Sequence, residues 1–245
     1  MILEKIACLA IGYVCGMFLT ANLAAKIKTG KSAYEIGSGN PGMANVMSNV
    51  SFSAGVFTLA GDILKVVLAA VICYFLFPDL TPARLNFLYS GVGTCLGHNF
   101  PIYHPTKGGK GVTTTCSTIV LYQPIPGLIA DVVGMLVVFK TGLLPVGAVI
   151  IPLVFTPYAF YKGGVEAGII SLLLTVMMFF RHRNGLKRTK EGTEQRQQSC
   201  LGSKRNCNYL GFSTDSEAKL KKCREISLPA RVFIRVFQAP ALSQR

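Results

Sequence analysis

The amino-acid sequence predicts an all-α polytopic membrane protein: seven transmembrane helices, with the polar motifs carried in loops on the cytoplasmic side. Three observations predict it. Of the 245 residues 51% are apolar and only 15% charged, there is no Trp, and mean hydropathy is +0.45, whereas a soluble domain carries roughly one quarter charged residues. Long apolar runs recur from residue 2 to residue 180. Between them, Lys and Arg concentrate in alternate loops, as the positive-inside bias requires.

The first run, Ile2 to Leu23, lacks the small-residue cleavage site of a signal peptide and is long enough to cross roughly 30 Å of hydrocarbon. It reads as a retained transmembrane helix. The further spans are Ala54–Phe77, Ala83–Gly97, Val112–Leu121, Gly127–Phe139, Leu143–Tyr161 and Gly164–Phe180, several of them short for a full crossing. Numbering them in order puts Lys26, Lys28 and Lys31, then Lys107 and Lys110, then Lys140, then Arg181, Arg183, Lys187, Arg188 and Lys190 on one side. The other side receives Lys5, Arg84 and Lys162. The expected topology therefore has the N-terminus outside and the C-terminus cytoplasmic.

Residues 1–194 form the membrane domain, and residues 195–245 form a basic tail with 10 Lys/Arg against 3 Asp/Glu, half of the net charge of +14. Its Ser, Asn, Lys and Arg content predicts disorder and attraction to anionic lipid. Such an abrupt change of character fits either a genuine extension or a shifted reading frame. Cys8, Cys15, Cys73, Cys95 and Cys116 sit in apolar surroundings, and Cys200, Cys207 and Cys223 sit in the tail. None forms a C-x-x-C pair, and the spacing fits neither a zinc site nor a disulfide framework. No metal and no cofactor are expected.

The stretch "GSGNPGMAN", Gly37 to Asn45, satisfies G-x-G-x-x-G through Gly37, Gly39 and Gly42, and Asp62 follows at about the distance of a ribose-binding acid. It lies between two membrane spans, however, with no preceding strand and no room for a βαβ unit. Open glycine backbone with the Ser38 hydroxyl and Asn40 amide suits a phosphate, and it equally suits a plain tight turn. Asp62 instead falls inside the second span, three residues before Lys65, on one helical face. A structural ion pair facing the bundle interior is its preferred role, with direct catalysis the alternative.

The second loop, "GHNFPIYHPTKGGKGVTTT" from Gly97 to Thr115, sets Lys107 and Lys110 around Gly108 and Gly109, with Gly111 following. Two ammonium groups on open backbone suggest phosphate. It is not a Walker loop, because His104 stands where a glycine is needed and Gly111 follows Lys110 in place of Ser or Thr. His98, at the end of a span, is either a satisfied structural group or part of a site. The third element, "RHRNGLKRTKEGTE" from Arg181 to Glu194, emerges on the same side and alone would be a basic anchor. Together the three elements offer anion binding beside lipid, without the residues of a covalent-catalysis site.

The order GSGNPGxxN, GHxFPxxxxxKGGKG, RHRxxxxRxxxGxE, with GDxLK at Gly61–Lys65, resembles the membrane acyl-phosphate:glycerol-3-phosphate acyltransferases of bacterial phospholipid synthesis. The match spans roughly residues 1–194. The resemblance implies seven helices with cytoplasmic motifs, a plasma-membrane location, and acyl phosphate, glycerol 3-phosphate and membrane lipid as partners, with no nucleic acid. It implies attack of the sn-1 hydroxyl of glycerol 3-phosphate on the acyl phosphate carbonyl, giving lysophosphatidic acid and phosphate. By motif, Gly37, Ser38, Gly39, Asn40 and Gly42 with Lys107, Gly108, Gly109, Lys110 and Gly111 would hold phosphate. Asn45, His98 and His182 would orient the reacting groups, and Ser38, Asn45, His98, Lys110 and His182 make up the expected catalytic set. Asp62, Lys65, Arg188 and Glu194 would support them.

Three departures accompany the resemblance. The family usually reads T-N-x-x-R after its first glycine motif, whereas this chain has Ala44, Asn45, Val46, Met47 and Ser48, so a phosphate-binding arginine is missing. The Asn expected three residues after His182 is Gly185, and the Ser-containing turn after the fifth span is unclear in "FKTGLLPVG". They leave as the alternative a degenerate paralogue that binds lipid phosphates without turnover. A channel or anion transporter fits less well, because the basic groups cluster at one face instead of at mid-membrane depth.

Overall fold

The computed structural model describes residues 2–80 and 84–194. Their regular structure is helical: α1 (Ile2–Met17), α2 (Thr20–Thr29), α3 (Met43–Asn49), α4 (Phe52–Leu76), α5 (Leu85–Asn99), α6 (Val112–Tyr122), α7 (Pro124–Thr141) and α8 (Leu144–Lys190), with 3-10 turns at Ala33–Glu35 and Pro78–Leu80. No strand occurs among the described residues, so Gly37, Gly39 and Gly42 open no βαβ unit. Ala83 and the whole stretch 195–245, with Cys200, Cys207 and Cys223 and the expectation of disorder, lie outside the described residues.

Among the described residues, four helical stretches are long and apolar enough to cross a membrane: Ile2–Thr29, Phe52–Leu76, Pro124–Thr141 and Leu144–Lys190. α5 and α6, with 15 and 11 residues, are about 22 and 16 Å long at 1.5 Å per residue, shorter than the hydrocarbon core. The first expected span is broken, and the last two meet end to end. Ile2 to Leu23 is not one helix: α1 stops at Met17, Leu19 is extended (φ −96°, ψ 93°), and α2 restarts at Thr20. The last two spans run together as α8, interrupted at Gly164, whose φ of 78° is open to glycine at little cost.

The packing is that of a bundle in lipid. Large apolar side chains point outward, among them Leu3, Phe75, Ile125, Leu128 and Phe139, each more than half exposed. Small and hydroxyl-bearing residues face in, including Ala69, Ala70, Ala130, Thr58, Ser90, Thr94 and Thr118. Lipid tails are as apolar as leucine, so helices associate through close backbone approach and polar contacts. α1 and α5 show the first device. A Cβ on Gly12 or Gly16 would collide with the backbone at Ser90 and Thr94, and one on Gly93 or Gly97 would collide with Leu9 and Tyr13. The two halves of α8 show the second: the Thr156 hydroxyl lies 3.0 Å from Ser171 Oγ and 3.1 Å from Thr175 Oγ1.

One end of the bundle is closed by a compact charge cluster, in which Lys5 Nζ lies 2.6 Å from Glu166 Oε1 and the Tyr89 hydroxyl donates to the same oxygen at 2.7 Å. The other end carries the glycine loops and the C-terminal turns of α8. The glycine seam ties α5, and His98 near its last turn, rigidly to α1.

Candidate active site

The first glycine loop is built from its own neighbourhood. Ser32 and Glu35 form a capping box on the 3-10 turn: Ser32 N–H donates to Glu35 Oε2 at 2.7 Å and Tyr34 N–H to Ser32 Oγ at 3.4 Å. Gly37 and Gly39 have φ of 54° and 68°, the left-handed region, and fold the chain back toward α3. Asn45 holds that turn with its whole amide. Its Oδ1 accepts from Ser38 N–H at 3.0 Å and from Asn49 Nδ2 at 3.1 Å, and its Nδ2 donates to Ile36 O at 2.9 Å and Ala33 O at 3.3 Å. Ser38 itself is exposed, and Gly39, Asn40 and Gly42 are partly so.

The second loop is held by distant groups. Gly108 and Gly109 are buried. Arg181, from α8, donates through Nε to Gly109 O at 3.0 Å and through Nη2 to Gly108 O at 2.6 Å and Gly109 O at 2.7 Å. Its guanidinium also lies 5.2 Å from the Phe100 ring centre. Gly109 N–H donates to His98 O at 2.9 Å, and the His98 ring fills the space where a Gly109 side chain would stand. Gly111 (φ 76°) starts α6 against Asn99, whose Oδ1 would be 2.7 Å from a Cβ there.

Behind His98 stands a buried charged group. Lys65 Nζ lies 2.8 Å from Asp62 Oδ1, 2.7 Å from His98 Nδ1 and 3.2 Å from Phe18 O. Two of the three ammonium donors are used in hydrogen bonds to His98 and Phe18, and the Asp62 carboxylate neutralises the charge. An ammonium only donates, so His98 Nδ1 accepts and the imidazole proton is on Nε2, the atom facing Gly109. The bond to Phe18 O satisfies a carbonyl freed by the break between α1 and α2, and Tyr103 OH does the same for Met17 O. Irregular backbone at membrane depth requires such partners.

The third element approaches the second loop from α8. His182 is buried, and its Nδ1 lies 3.1 Å from Met178 O. A carbonyl can only accept, so Nδ1 carries the proton and Nε2 presents a lone pair, with no hydrogen-bond partner among the described residues. Lys110 and Arg181 act on it electrostatically. Burial pushes the Lys110 ammonium below the usual lysine range; Glu194 pulls it back up, while Arg188 and Arg181 push it further down. Arg188 Nε in turn binds Glu194 Oε2 at 2.6 Å.

Direct contacts link Asp62, Lys65, His98, Gly108 and Gly109, and Arg188 pairs with Glu194; Lys110 and His182 interact with each other, and Lys110 with Arg188 and Glu194, electrostatically. Gly37, Ser38, Gly39, Asn40, Gly42 and Asn45 form a second group. The two meet where the Tyr34 and His104 rings pack edge to face, 5.2 Å apart. Lys107 is exposed on the same loop as His104.

A glycerol-3-phosphate acyltransferase family profile matches residues 6–192. The chain belongs to that family. Among similar proteins, glycerol-3-phosphate acyltransferase 1 of Lactobacillus johnsonii is 35% identical over 184 residues, 75% of this chain and 88% of the relative. The glycerol-3-phosphate acyltransferase of Bacillus subtilis is 30% identical, over 75% of this chain and 93% of its own length. The fold is that of the crystal structure of PlsY, an integral membrane glycerol 3-phosphate acyltransferase, in its glycerol 3-phosphate form: TM-score 0.69, 24% identity, 78% of this chain and 94% of that one.

Within this acyltransferase, reading the sequence missed Arg181, Asn99 and the Tyr34–His104 contact. Arg181 counts in sequence only as one basic residue among several after the last span. Its position beside His182 is the one signal that it faces the same loop. Gly185, where the family usually has Asn, is buried, and a Cβ there would stand 2.7 Å from Pro145 Cγ and 3.6 Å from Glu194 Oε1.

Proposed function

We propose that this protein is an acyltransferase that moves an acyl group from acyl phosphate to the sn-1 hydroxyl of glycerol 3-phosphate. Family membership supports the acyl-transfer class. The observation that carries the residue roles is the glycine pair Gly108–Gly109, clamped by Arg181 and followed directly by Lys110, whose charge acts on the buried His182 of the same helix as the clamp. The hydroxyl oxygen attacks the carbonyl carbon, the bond from that carbon to the phosphate oxygen breaks, and the hydroxyl proton leaves with inorganic phosphate. A mixed anhydride is already activated, so the protein has chiefly to hold two phosphates, align the hydroxyl and stabilise developing charge.

In this reading Lys110, Lys107 and the backbone of Gly108, Gly109 and Gly111 bind phosphate, and Ser38 with Gly37, Gly39, Asn40 and Gly42 binds from the first loop. His182 Nε2 orients the attacking hydroxyl by accepting its hydrogen bond. Asn45 and His98 act through the backbone they hold, while Asp62, Lys65, Arg188 and Glu194 fix His98 and the α8 turns. A cleft of about 400 Å3 between α1, the start of α2 and α4, lined by Val14, Phe18, Leu23, Phe57, Leu64 and Leu68 with Lys65 in its wall, suits an acyl chain entering from lipid.

The membrane arrangement in this reading has seven crossings in the bacterial plasma membrane, N-terminus outside and C-terminus cytoplasmic, with residues 1–194 as the catalytic domain and 195–245 as an appended tail. The kink at Gly164 supports counting α8 as two crossings, and the shortness of α5 and α6 supports a second loop sunk below the cytoplasmic surface. Cysteine labelling at Ser32, Arg84 and Thr189 tests it: positions 32 and 189 are expected to react from inside and 84 from outside. The reaction is tested with purified protein in lipid, acyl phosphate and glycerol 3-phosphate, following lysophosphatidic acid and phosphate release. Binding of both substrates without product would favour a degenerate phosphate-binding paralogue.

A further inference from the structure

We propose that Arg181 is a positioning residue that sets the direction of the Lys110 backbone N–H and side chain by gripping the carbonyls of Gly108 and Gly109. The inference rests on the acyl-transfer reading above. Three of the five N–H donors of a guanidinium are spent on these two carbonyls, at 2.6, 2.7 and 3.0 Å. A trans peptide points its N–H opposite its C=O. With Gly109 O turned to Arg181, the Lys110 N–H must face away from α8. Gly109 N–H is already given to His98 O, so the peptide on either side of Gly109 has one rotational setting.

The neighbours leave the loop no alternative seat. A Cβ on Gly108 would strike the carbonyls of Asn99 and His98, and one on Gly109 would strike the His98 ring. The Phe100 ring backs the guanidinium. The planar fork is therefore what the site uses, beyond its positive charge; an ammonium is a point donor and cannot span two carbonyls in the same way. This separates Arg181 from Lys107 and Lys110, whose charge faces the substrate phosphates in the proposed reaction.

The test uses the full chain in lipid, with Arg181→Ala and Arg181→Lys. Arg181→Ala is expected to lower kcat about 100-fold, the scale of a misplaced group near the reaction, while KM for both substrates stays within about threefold, the pattern of an interaction needed only in the transition state. Arg181→Lys is expected to remain at least tenfold slow, and millimolar guanidinium, but not ammonium, is expected to restore part of the Arg181→Ala rate. Hydrogen exchange of a peptide covering 106–112 is expected to speed up in both variants while α4 is unchanged. Wild-type kcat in Arg181→Lys, a raised KM with unchanged kcat, or unaltered loop exchange would each overturn the proposal. If Arg181→Ala does not fold, Arg181→Lys decides by the same kinetic and exchange readings. If the wild-type protein shows no turnover, the acyl-transfer reading fails, and loop exchange alone upholds or removes the clamp.

Discussion

The two glycine loops have similar composition and opposite construction. The loop at 37–42 is exposed and is held by residues within about a dozen positions of it, chiefly Asn45, Asn49 and the Ser32–Glu35 box. The loop at 108–111 is sunk among helices and is held by Arg181, some seventy residues away in sequence, and by His98 with Lys65 behind it. A self-contained loop can shift as a unit to meet a ligand, whereas a loop fixed from several helices keeps its geometry before the ligand arrives. Preorganised donors cost no reorganisation at the moment of reaction. The second loop is thus the better place for the group that meets developing charge, and the first for one that captures substrate.

The largest effect expected from that difference is at Lys110. Lys110→Ala should reduce turnover by roughly 10² to 10³, about 3–4 kcal/mol of barrier, in a phosphate-release assay. A similar loss of kcat from Lys107→Ala would show that the half-buried and the exposed lysine do not differ in role. Next comes Asn45→Ala, which strands Ser38 N–H and the Ile36 and Ala33 carbonyls; a stability loss of about 1–3 kcal/mol should appear in thermal unfolding, with KM affected more than kcat.

A third outcome concerns pH. Burial holds Lys110 below the usual lysine range, so kcat should fall on the alkaline side earlier than an ordinary lysine would dictate. Lys110→Arg should move that limb upward, and Glu194→Gln should move it down, because Glu194 favours the charged form. The linkage has the opposite sign for stability. Between the depressed folded value and the ordinary one, the unfolded chain binds the extra proton, so this group's unfavourable contribution is relieved as pH rises through that window. A kcat profile flat through the alkaline range would remove Lys110 from the reaction.

The smallest effects concern two of the three departures from the family pattern. Ser48 is exposed on α3, so Ser48→Arg has room and should lower KM for glycerol 3-phosphate a few-fold. Gly185→Asn should not help, because its Cβ would press on Pro145; only a second change at Pro145 would let it act. A gain from Gly185→Asn alone would show that α8 yields at this point more readily than its packing suggests.

The helical membrane class was legible because length and hydropathy act locally. The Asp62–Lys65 pair was legible for the same reason, since a spacing of three places both on one face of α4. The turn between α1 and α2 was not, because nothing in Met17-Phe18-Leu19 breaks a helix; the freed carbonyls find partners in Lys65 and Tyr103, which arrive from elsewhere in the chain. The break between the last two spans was legible, because the Gly163-Gly164 pair interrupts the apolar run where α8 leaves helical geometry. Arg181 escaped notice as a site residue because its partners are main-chain atoms, which carry no sequence signal, and Asn99 because its place against Gly111 appears only once the chain is folded.

The glycine seam between α1 and α5 also bears on how the chain enters the membrane. About 80 residues separate Gly12 from its partners on α5, roughly 4–16 s of synthesis at 5–20 residues per second. Until then the bare stripe on α1 has no mate, and α4 precedes in the chain the His98 that Lys65 meets in the folded bundle. The helix solves this alone: Asp62 and Lys65 can neutralise one another one turn apart, so α4 partitions as a nearly uncharged segment. A pair that later anchors the site thus serves first as the passport of its own helix into lipid.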